Sequence, residues 1–258
     1  MYYPIQIPYI LSNDFAQKMA YVETPALDCS GFVICFWEMQ PLSDRKFFTE
    51  NIIVADACID LVANYDAGSI GFSGMSKTEF HFKLDLPARC FGARLAPGAF
   101  HQLTGLSASL AMDTFLPIES VFANFDIVHF LSLPFEQAQA YFKEFLRQEA
   151  QHRTPDMFTG LFNTLYQRIP ATTKELYELL YFGPRQCQRL FKKHYGITPK
   201  MSLSIIRFQK CLEILTSRKA SPVDILNIAG YYDQPHFIND FKRNIGITPM
   251  QLIRIYQT

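Results

Sequence analysis

No run of apolar residues in this chain is long enough to cross a membrane as a helix. The strongest, Gly31 to Trp37, falls far short of the roughly 20 residues required. The opening Met1-Tyr2-Tyr3-Pro4 has neither a basic n-region nor a small-residue cleavage site. A soluble, cytoplasmic protein with no membrane partner is therefore expected. The six cysteines, Cys29, Cys35, Cys58, Cys90, Cys187 and Cys211, contain no CxxC pair and no regular spacing. They read as reduced, buried small hydrophobes rather than a disulfide framework, with a redox switch as the lesser alternative. His81, His101 and His129 lack HxH or HExxH spacing, so each reads as a surface or hydrogen-bonded core histidine and no metal site is expected. Catalytic constellations and cofactor motifs are also missing, and no enzyme activity is expected.

Net charge is absent as well, with 24 Lys and Arg against 24 Asp and Glu, but the balance hides an asymmetry. Residues 1–153 carry 10 basic and 17 acidic side chains, a net of −7, whereas residues 154–258 carry 14 and 7, a net of +7. A basic C-terminal third on an acidic remainder is the electrostatic footprint of a polyanion-binding domain joined to something else. At 258 residues, 49% hydrophobic and 15% aromatic, the chain can build cores for two domains.

An internal repeat lies in the basic part. Phe191-Lys-Lys-His-Tyr-Gly-Ile-Thr-Pro199 recurs fifty residues later as Phe241-Lys-Arg-Asn-Ile-Gly-Ile-Thr-Pro249, with six of nine positions identical. A duplicated supersecondary unit is the simplest explanation. In the first copy Thr172-x-x-Glu175 is a capping box opening a helix through Leu176, Leu179 and Leu180, and Tyr181-Phe182-Gly183 ends it. Pro184 suits the first turn of a second helix, which Gly196 stops. In the second copy Ser221-Pro222-Val223-Asp224 opens a helix with Ile225, Ile228 and Ala229, Gly230 to Asp233 turns, and a helix from Gln234 ends at Gly246. Between the copies, Pro199 to about Ser217 reads as one helix with Leu203, Ile206, Cys211, Leu212 and Leu215 partly buried. Its length of roughly 27 Å suits holding two units near the ~34 Å repeat of successive major grooves.

The second helix of each unit has an apolar and a polar side. In the first, Cys187, Leu190 and Phe191 face inward, leaving Arg185, Gln188, Arg189 and Lys192 together at i, i+3, i+4 and i+7, with Lys193 beside them. Arg can bond guanine O6 and N7, Gln can bond adenine N6 and N7, and Lys neutralises phosphate. The fifty-residue offset places Pro235, Ile238, Asn239 and Lys242 at the equivalent outer positions, with Phe237, Phe241 and Ile245 inside. Gln234, His236 and Arg243 are further candidates. This second reader is less polar and should rely more on DNA shape.

Residues 155–256 resemble the DNA-binding domain of the AraC/XylS family of bacterial transcription regulators. The most specific match is Ala229-Gly-Tyr-Tyr-Asp-Gln-Pro-His-Phe237, followed by Phe241-Lys-Arg and Gly246-Ile-Thr-Pro249. The resemblance implies base-reading positions at Arg185, Gln188 and Arg189, and at Gln234, Pro235 and Asn239. It also implies double-stranded DNA as partner, read in two adjacent major grooves, and RNA polymerase as a further partner if the protein activates. Leu179 and Leu180 stand where the family has small residues, and Asn239 where it often has a basic one.

Residues 1–153 read as a β-rich, effector-sensing domain and 155–258 as the double helix-turn-helix domain, with His152-Arg-Thr-Pro155 as junction. The expected class is α+β: a mainly β sandwich or barrel with a helix at about 134–152, then an all-α domain of two helix-turn-helix units joined by a long helix. Strands are expected at Gly31–Glu38, Asn51–Val54, Cys58–Tyr65, Thr78–Leu86 and Cys90–Ala96, punctuated by Gly68, Gly71, Gly74 and Gly98. Asp56-Ala-Cys-Ile-Asp60 and Phe91-Gly-Ala-Arg-Leu-Ala-Pro-Gly98 resemble N-terminal domains of some family members, which implies a small-molecule effector. Asp56 and Asp60 read either as a paired-carboxylate site or as turn and strand-end residues. Trp37 reads as core, and Arg89 and Arg94 as possible partners of an anionic effector. The stripe Phe135, Ala138, Phe142 and Phe145 either packs on its own domain or pairs with its copy in a homodimer. Two other readings of the N-terminal half are a cysteine-based enzyme and a protein-interaction module.

Overall fold

The computed structural model describes residues 2–6, 13–27, 29, 31–44, 47–75, 80–86, 88–216 and 230–257. A short helix α1 (Asn13–Lys18) leads into strands β1 (Met19–Pro25), β2 (Val33–Pro41), β3 (Phe47–Ile53), β4 (Ile59–Asn64), β5 (Ser69–Gly74), β6 (Phe80–Leu86) and β7 (Cys90–Leu95). After helix α2 (Ala99–Thr104) comes β8 (Phe115–Pro117). Six strands form an antiparallel sheet in the order β1-β2-β7-β4-β5-β8, and β3 pairs with β6 as a separate ribbon.

Alternation along the central strands sorts residues onto two faces. Phe91, Ala93 and Leu95 of β7 join Phe36 and Leu61 in a core covered by α2, α3 (Ile127–Ser132) and α4 (Phe135–Gln151). Phe135, Ala138, Phe142 and Phe145 are all buried there, and Phe142 meets Phe91 edge-on at 4.7 Å. The aromatic stripe thus packs on its own sheet. The opposite face carries Cys90, Gly92 and Arg94 beside Trp37. Gly92 has room for no side chain, because a Cβ there would stand 2.6 Å from the Trp37 ring.

Each expected strand is present, within a few residues, but Gly71 and Gly74 do not mark turns. They lie inside β5, where a Cβ would come within 2.4 Å of the Leu116 carbonyl oxygen and 2.2 Å of that of Ala111. Glycine at these positions permits close backbone approach.

The remaining helices are α5 (Met157–Gln167), α6 (Thr173–Leu180), α7 (Pro184–Tyr195), α8 (Pro199–Thr216), α9 (Gln234–Ile245) and α10 (Pro249–Gln257). Their ends follow the local chemistry. Thr172 accepts from the Glu175 amide, while Glu175 reaches back to the Ala171 amide, one residue beyond the usual partner of a capping box. Pro184 opens α7, and Gly196 and Gly246 close α7 and α9 in left-handed conformation at φ 74° and 82°. The expected helix containing Ile225 and Ile228 lies outside the described residues.

Helix α8 is more enclosed than an amphipathic connector. From Ser202 to Leu212 no residue is exposed, and Ser202, Arg207 and Gln209 are buried with the apolar ones. Arg207 is held by the carbonyls of Pro170 and Ala171. Part of the enclosure comes from the N-terminal half, since Tyr2, Ala55, Ala57 and Met75 share one apolar cluster with α5–α8. Val54 likewise joins Phe208 and Cys211 in another.

Candidate nucleic-acid interface

Helix α7 is anchored by one face. Cys187 and Phe191 are fully buried, Tyr195 and His194 nearly so, and Tyr195 donates to the Phe158 carbonyl at 2.5 Å. Rotation of the helix is thereby fixed, and Arg185, Gln188, Arg189, Lys192 and Lys193 all emerge exposed on the other side. Among the described residues none of these five side chains is engaged in a hydrogen bond or ion pair. A helix face of unpartnered donors, held by a fully packed back, presents fork and point-charge chemistry to an acceptor-rich surface.

The fifty-residue offset also holds in three dimensions. Cys187, Phe191 and Tyr195 correspond to buried Phe237, Phe241 and Ile245, and each C-cap glycine donates to the carbonyl of Lys192 or Lys242. Gln234, Pro235, His236, Asn239, Lys242 and Arg243 are exposed, while Ile238 is half-buried and so less available than the periodicity suggests. Arg243 leans on Asp240 at 3.7 Å, and the His236 ring sits edge-on to Tyr231. The inner face of α9 is more polar than that of α7. Buried Asp240 accepts from Ser204 of α8 at 2.7 Å and from Tyr231 at 3.0 Å, and Asn244 donates to Ser204. Sequence periodicity gives no sign of this node, because Ser204 is 36 residues from Asp240 along the chain. The turns before the readers expose Tyr181 and Tyr232, each 94% accessible.

The β domain meets the C-terminal end of α7 rather than its outer face. His101 of α2 lies edge-on to His194 at 4.5 Å, and His194 stacks on Phe158 at 4.0 Å. Enclosure and the neighbouring His101 push the His194 imidazole down to about 4, so it stays neutral near pH 7. His129 is exposed.

A second constellation lies on the far face of the sheet, where Asp56 and Asp60 come together around Arg94. The Arg94 Nε is 3.7 Å from Asp56 and 3.6 Å from Asp60, and its Nη1 donates to Glu23 of β1 at 2.7 Å. Trp37 donates its indole N–H to Asp60 at 2.8 Å, so this core tryptophan carries a polar contact. Asp56 also takes the turn role, accepting from the Cys58 amide. Enclosure raises Asp60 to about 7 against the pull of Arg94, and raises Asp56 in the same direction. Arg89 stays outside this group, paired on the surface with Asp66. All six cysteines are buried. Burial pushes the Cys35 and Cys90 thiols up to about 12 and raises Cys58, Cys187 and Cys211 as well.

Residues 177–255 match a family of helix-turn-helix domains, and residues 22–117 match a domain of unknown function, DUF6597. VirF, a virulence regulon transcriptional activator of Yersinia enterocolitica, is 36% identical over 64 residues, 25% of this chain and 24% of that protein. Ada of Escherichia coli K12, named a bifunctional transcriptional activator and DNA repair enzyme, is 29% identical over 105 residues, 41% of this chain and 29% of its own. The chain spans about a quarter of the length of the curated relatives it matches. Among solved structures, ToxT from Vibrio cholerae O395 aligns with 92% of this chain and 94% of its own at 11% identity, with a TM-score of 0.42.

Proposed function

We propose that the C-terminal region is an AraC/XylS-type helix-turn-helix domain, a reading supported by the family match over residues 177–255 and the likeness to VirF, and that the whole protein is a sequence-specific, one-component transcription regulator. The observation that carries the reading is the outer face of α7: Arg185, Gln188, Arg189 and Lys192 stand exposed in one stripe on a helix whose other face is locked in the core. Arg185, Gln188 and Arg189 read base edges in one major groove, and Lys192 and Lys193 hold phosphates. Helix α9 enters the next groove with Gln234, Pro235, His236 and Asn239, and Lys242 and Arg243 attend to the backbone. Its half-buried Ile238 and the Arg243–Asp240 pair support a positioning role more than direct reading.

The β domain is the sensory half on this reading, and the protein works in the cytoplasm on the nucleoid. A cysteine-based enzyme in that half is disfavoured, because nucleophilic cysteine needs a depressed thiol pKa and burial raises these.

The test uses the purified full-length protein. Selection from fragmented genomic DNA should enrich a small set of sites, with affinity falling steeply as salt rises. Absence of salt-sensitive duplex binding overturns the reading. A thermal-shift screen with small molecules tests the sensory role, since a ligand of the folded state raises the Tm.

A further inference from the structure

The Arg94 constellation has one guanidinium for three carboxylates. Glu23 comes from β1, Asp60 from β4, Asp56 from the turn before it, and Arg94 from β7, so the group carries a net charge of −2 when every carboxylate is ionised. The other titratable groups facing it, among the described residues, are neutral near pH 7. Tyr21 donates to Glu23 at 2.6 Å and lies 3.3 Å from Arg94, and the Cys35 thiol lies 3.7 Å from Arg94. Cys58 follows Asp56 in the same turn. The Arg94 Nε is buried and has no hydrogen-bond partner, so the only cation in the group is itself incompletely satisfied. Adding a proton relieves this arrangement and removing one strains it.

The amino-terminal segment closes this group. Tyr3 donates to Glu23 at 2.9 Å, Gln6 donates to Asp56 at 2.7 Å, and the Tyr2 hydroxyl donates to the Asp56 carbonyl at 2.8 Å. Gln6 also pairs with the Val54 backbone through both ends of its amide. The same five residues grip the helical half. Gln209 of α8 accepts from the Ile5 amide at 2.7 Å and donates to the Ala55 carbonyl at 2.9 Å, and the Tyr2 ring lies between Phe162 and Tyr166. Residues 2–6 are therefore bonded at once to the charged group and to the helix joining the two readers.

We infer that residues 2–6 are a proton-linked strap, whose closure between the β domain and α8 depends on one proton held by the Asp56–Asp60 pair around Arg94. With the proton present the group matches the closed geometry. Once the proton leaves, the pair stands fully ionised in an enclosed group with a single cation, and withdrawal of residues 2–6, which lets water reach the carboxylates, relieves the repulsion and gives up the hold on Gln209. The enclosure that raises Asp60 places this change near neutral pH. Coupled carboxylates share their titration, so the proton belongs to the pair.

Two built-in probes test the inference in the full-length chain without DNA, so it stands or falls separately from the regulator reading. Trp37 is the only tryptophan and touches Asp60 directly. Its emission should titrate with a midpoint of about 7 and cease to do so in Asp60→Asn. Among the described residues, the amides of Ile5 and Val54 donate to Gln209 and Gln6, the two glutamines of the strap contact. Their hydrogen-exchange protection, corrected for intrinsic rates, should fall by up to about tenfold per pH unit from pH 5 and level off above about 7. In Asp60→Asn it should be flat, and Gln209→Ala should lose protection at Ile5 while keeping the Trp37 titration. If Asp60→Asn does not fold, Glu23→Gln should move the Trp37 midpoint downward, because it removes a repelling charge that Asp60 would otherwise meet on ionising. Protection at Ile5 and Val54 that is flat across pH in the wild type, or that falls equally in Asp60→Asn, overturns the proposal. So does a midpoint that Glu23→Gln leaves unchanged or raises.

Discussion

Arg189 and Lys192 sit three residues apart on α7, both exposed, yet they should fail differently when removed. Arg189→Ala should cost ~1–3 kcal/mol at one base position and relax preference there, whereas Lys192→Ala should weaken all sequences alike and reduce the log–log salt slope by about 0.9. Competition binding against single-base operator variants at several salt concentrations distinguishes the two. Tyr181 offers a test of stability instead. Its φ of 56° is left-handed, where a non-glycine residue is strained by about 1–2 kcal/mol, and its side chain is 94% exposed and packs on little. Tyr181→Gly should leave the urea midpoint unchanged or raise it, the relief being offset in part by glycine's roughly 0.5–1 kcal/mol of extra chain entropy. The exposed stripe was legible because 3.6-residue periodicity alone separates Arg185 and Arg189 from Cys187 and Phe191. Arg94 was not, since its partner Glu23 is 71 residues away in sequence and no local pattern announces the meeting.

Helix α7 ends at Gly196, where two demands coincide. The residue closes the helix at φ 74°, and a Cβ there would stand 2.6 Å from the Met112 side chain of the β domain and 3.1 Å from the Ala108 carbonyl. Met112 is flexible and can yield, so the backbone strain dominates. Gly196→Ala should therefore destabilise by ~1–3 kcal/mol in urea unfolding without altering the exposed reader face. Capping chemistry made α6, α7 and α9 readable from Thr172, Pro184, Gly196 and Gly246. The strands β1 and β5 were missed for a physical reason. β1 has weak alternation at a sheet edge, and β5 carries Gly71 and Gly74, which ordinarily signal turns but here allow backbones to touch. The enclosure of α8 from Ser202 to Leu212 was also invisible, because Ser202, Arg207 and Gln209 look like a solvated face until the Pro170 and Ala171 carbonyls and residues 2–6 come to meet them.

Across the whole molecule, two enclosed groups tilt stability in opposite directions over the same acid range. Asp60 is raised to about 7, so its contribution is complete below about 4, the pKa of a free Asp, and is lost as pH rises through about 7. His194 is lowered to about 4, so its contribution is complete above about 6.5 and is lost as pH falls through about 4. Relative to wild type, Asp60→Asn should make the urea midpoint climb with pH between 4 and 7, and His194→Gln should make it decline. Parallel profiles for all three proteins would contradict both assignments. The apolar clusters that cross between the halves carry a further consequence. Val54 fills a socket beside Phe208 and Cys211, and Tyr2, Ala55 and Met75 complete the wall behind α5 and α8. A chain begun near residue 155 would open those sockets to water, at ~1.5–3 kcal/mol for each large side chain withdrawn. The helix-turn-helix half is thus not an exchangeable cassette: grafting it onto another domain requires carrying along the amino-terminal tail and the loop ahead of β4, or rebuilding the surface they cover.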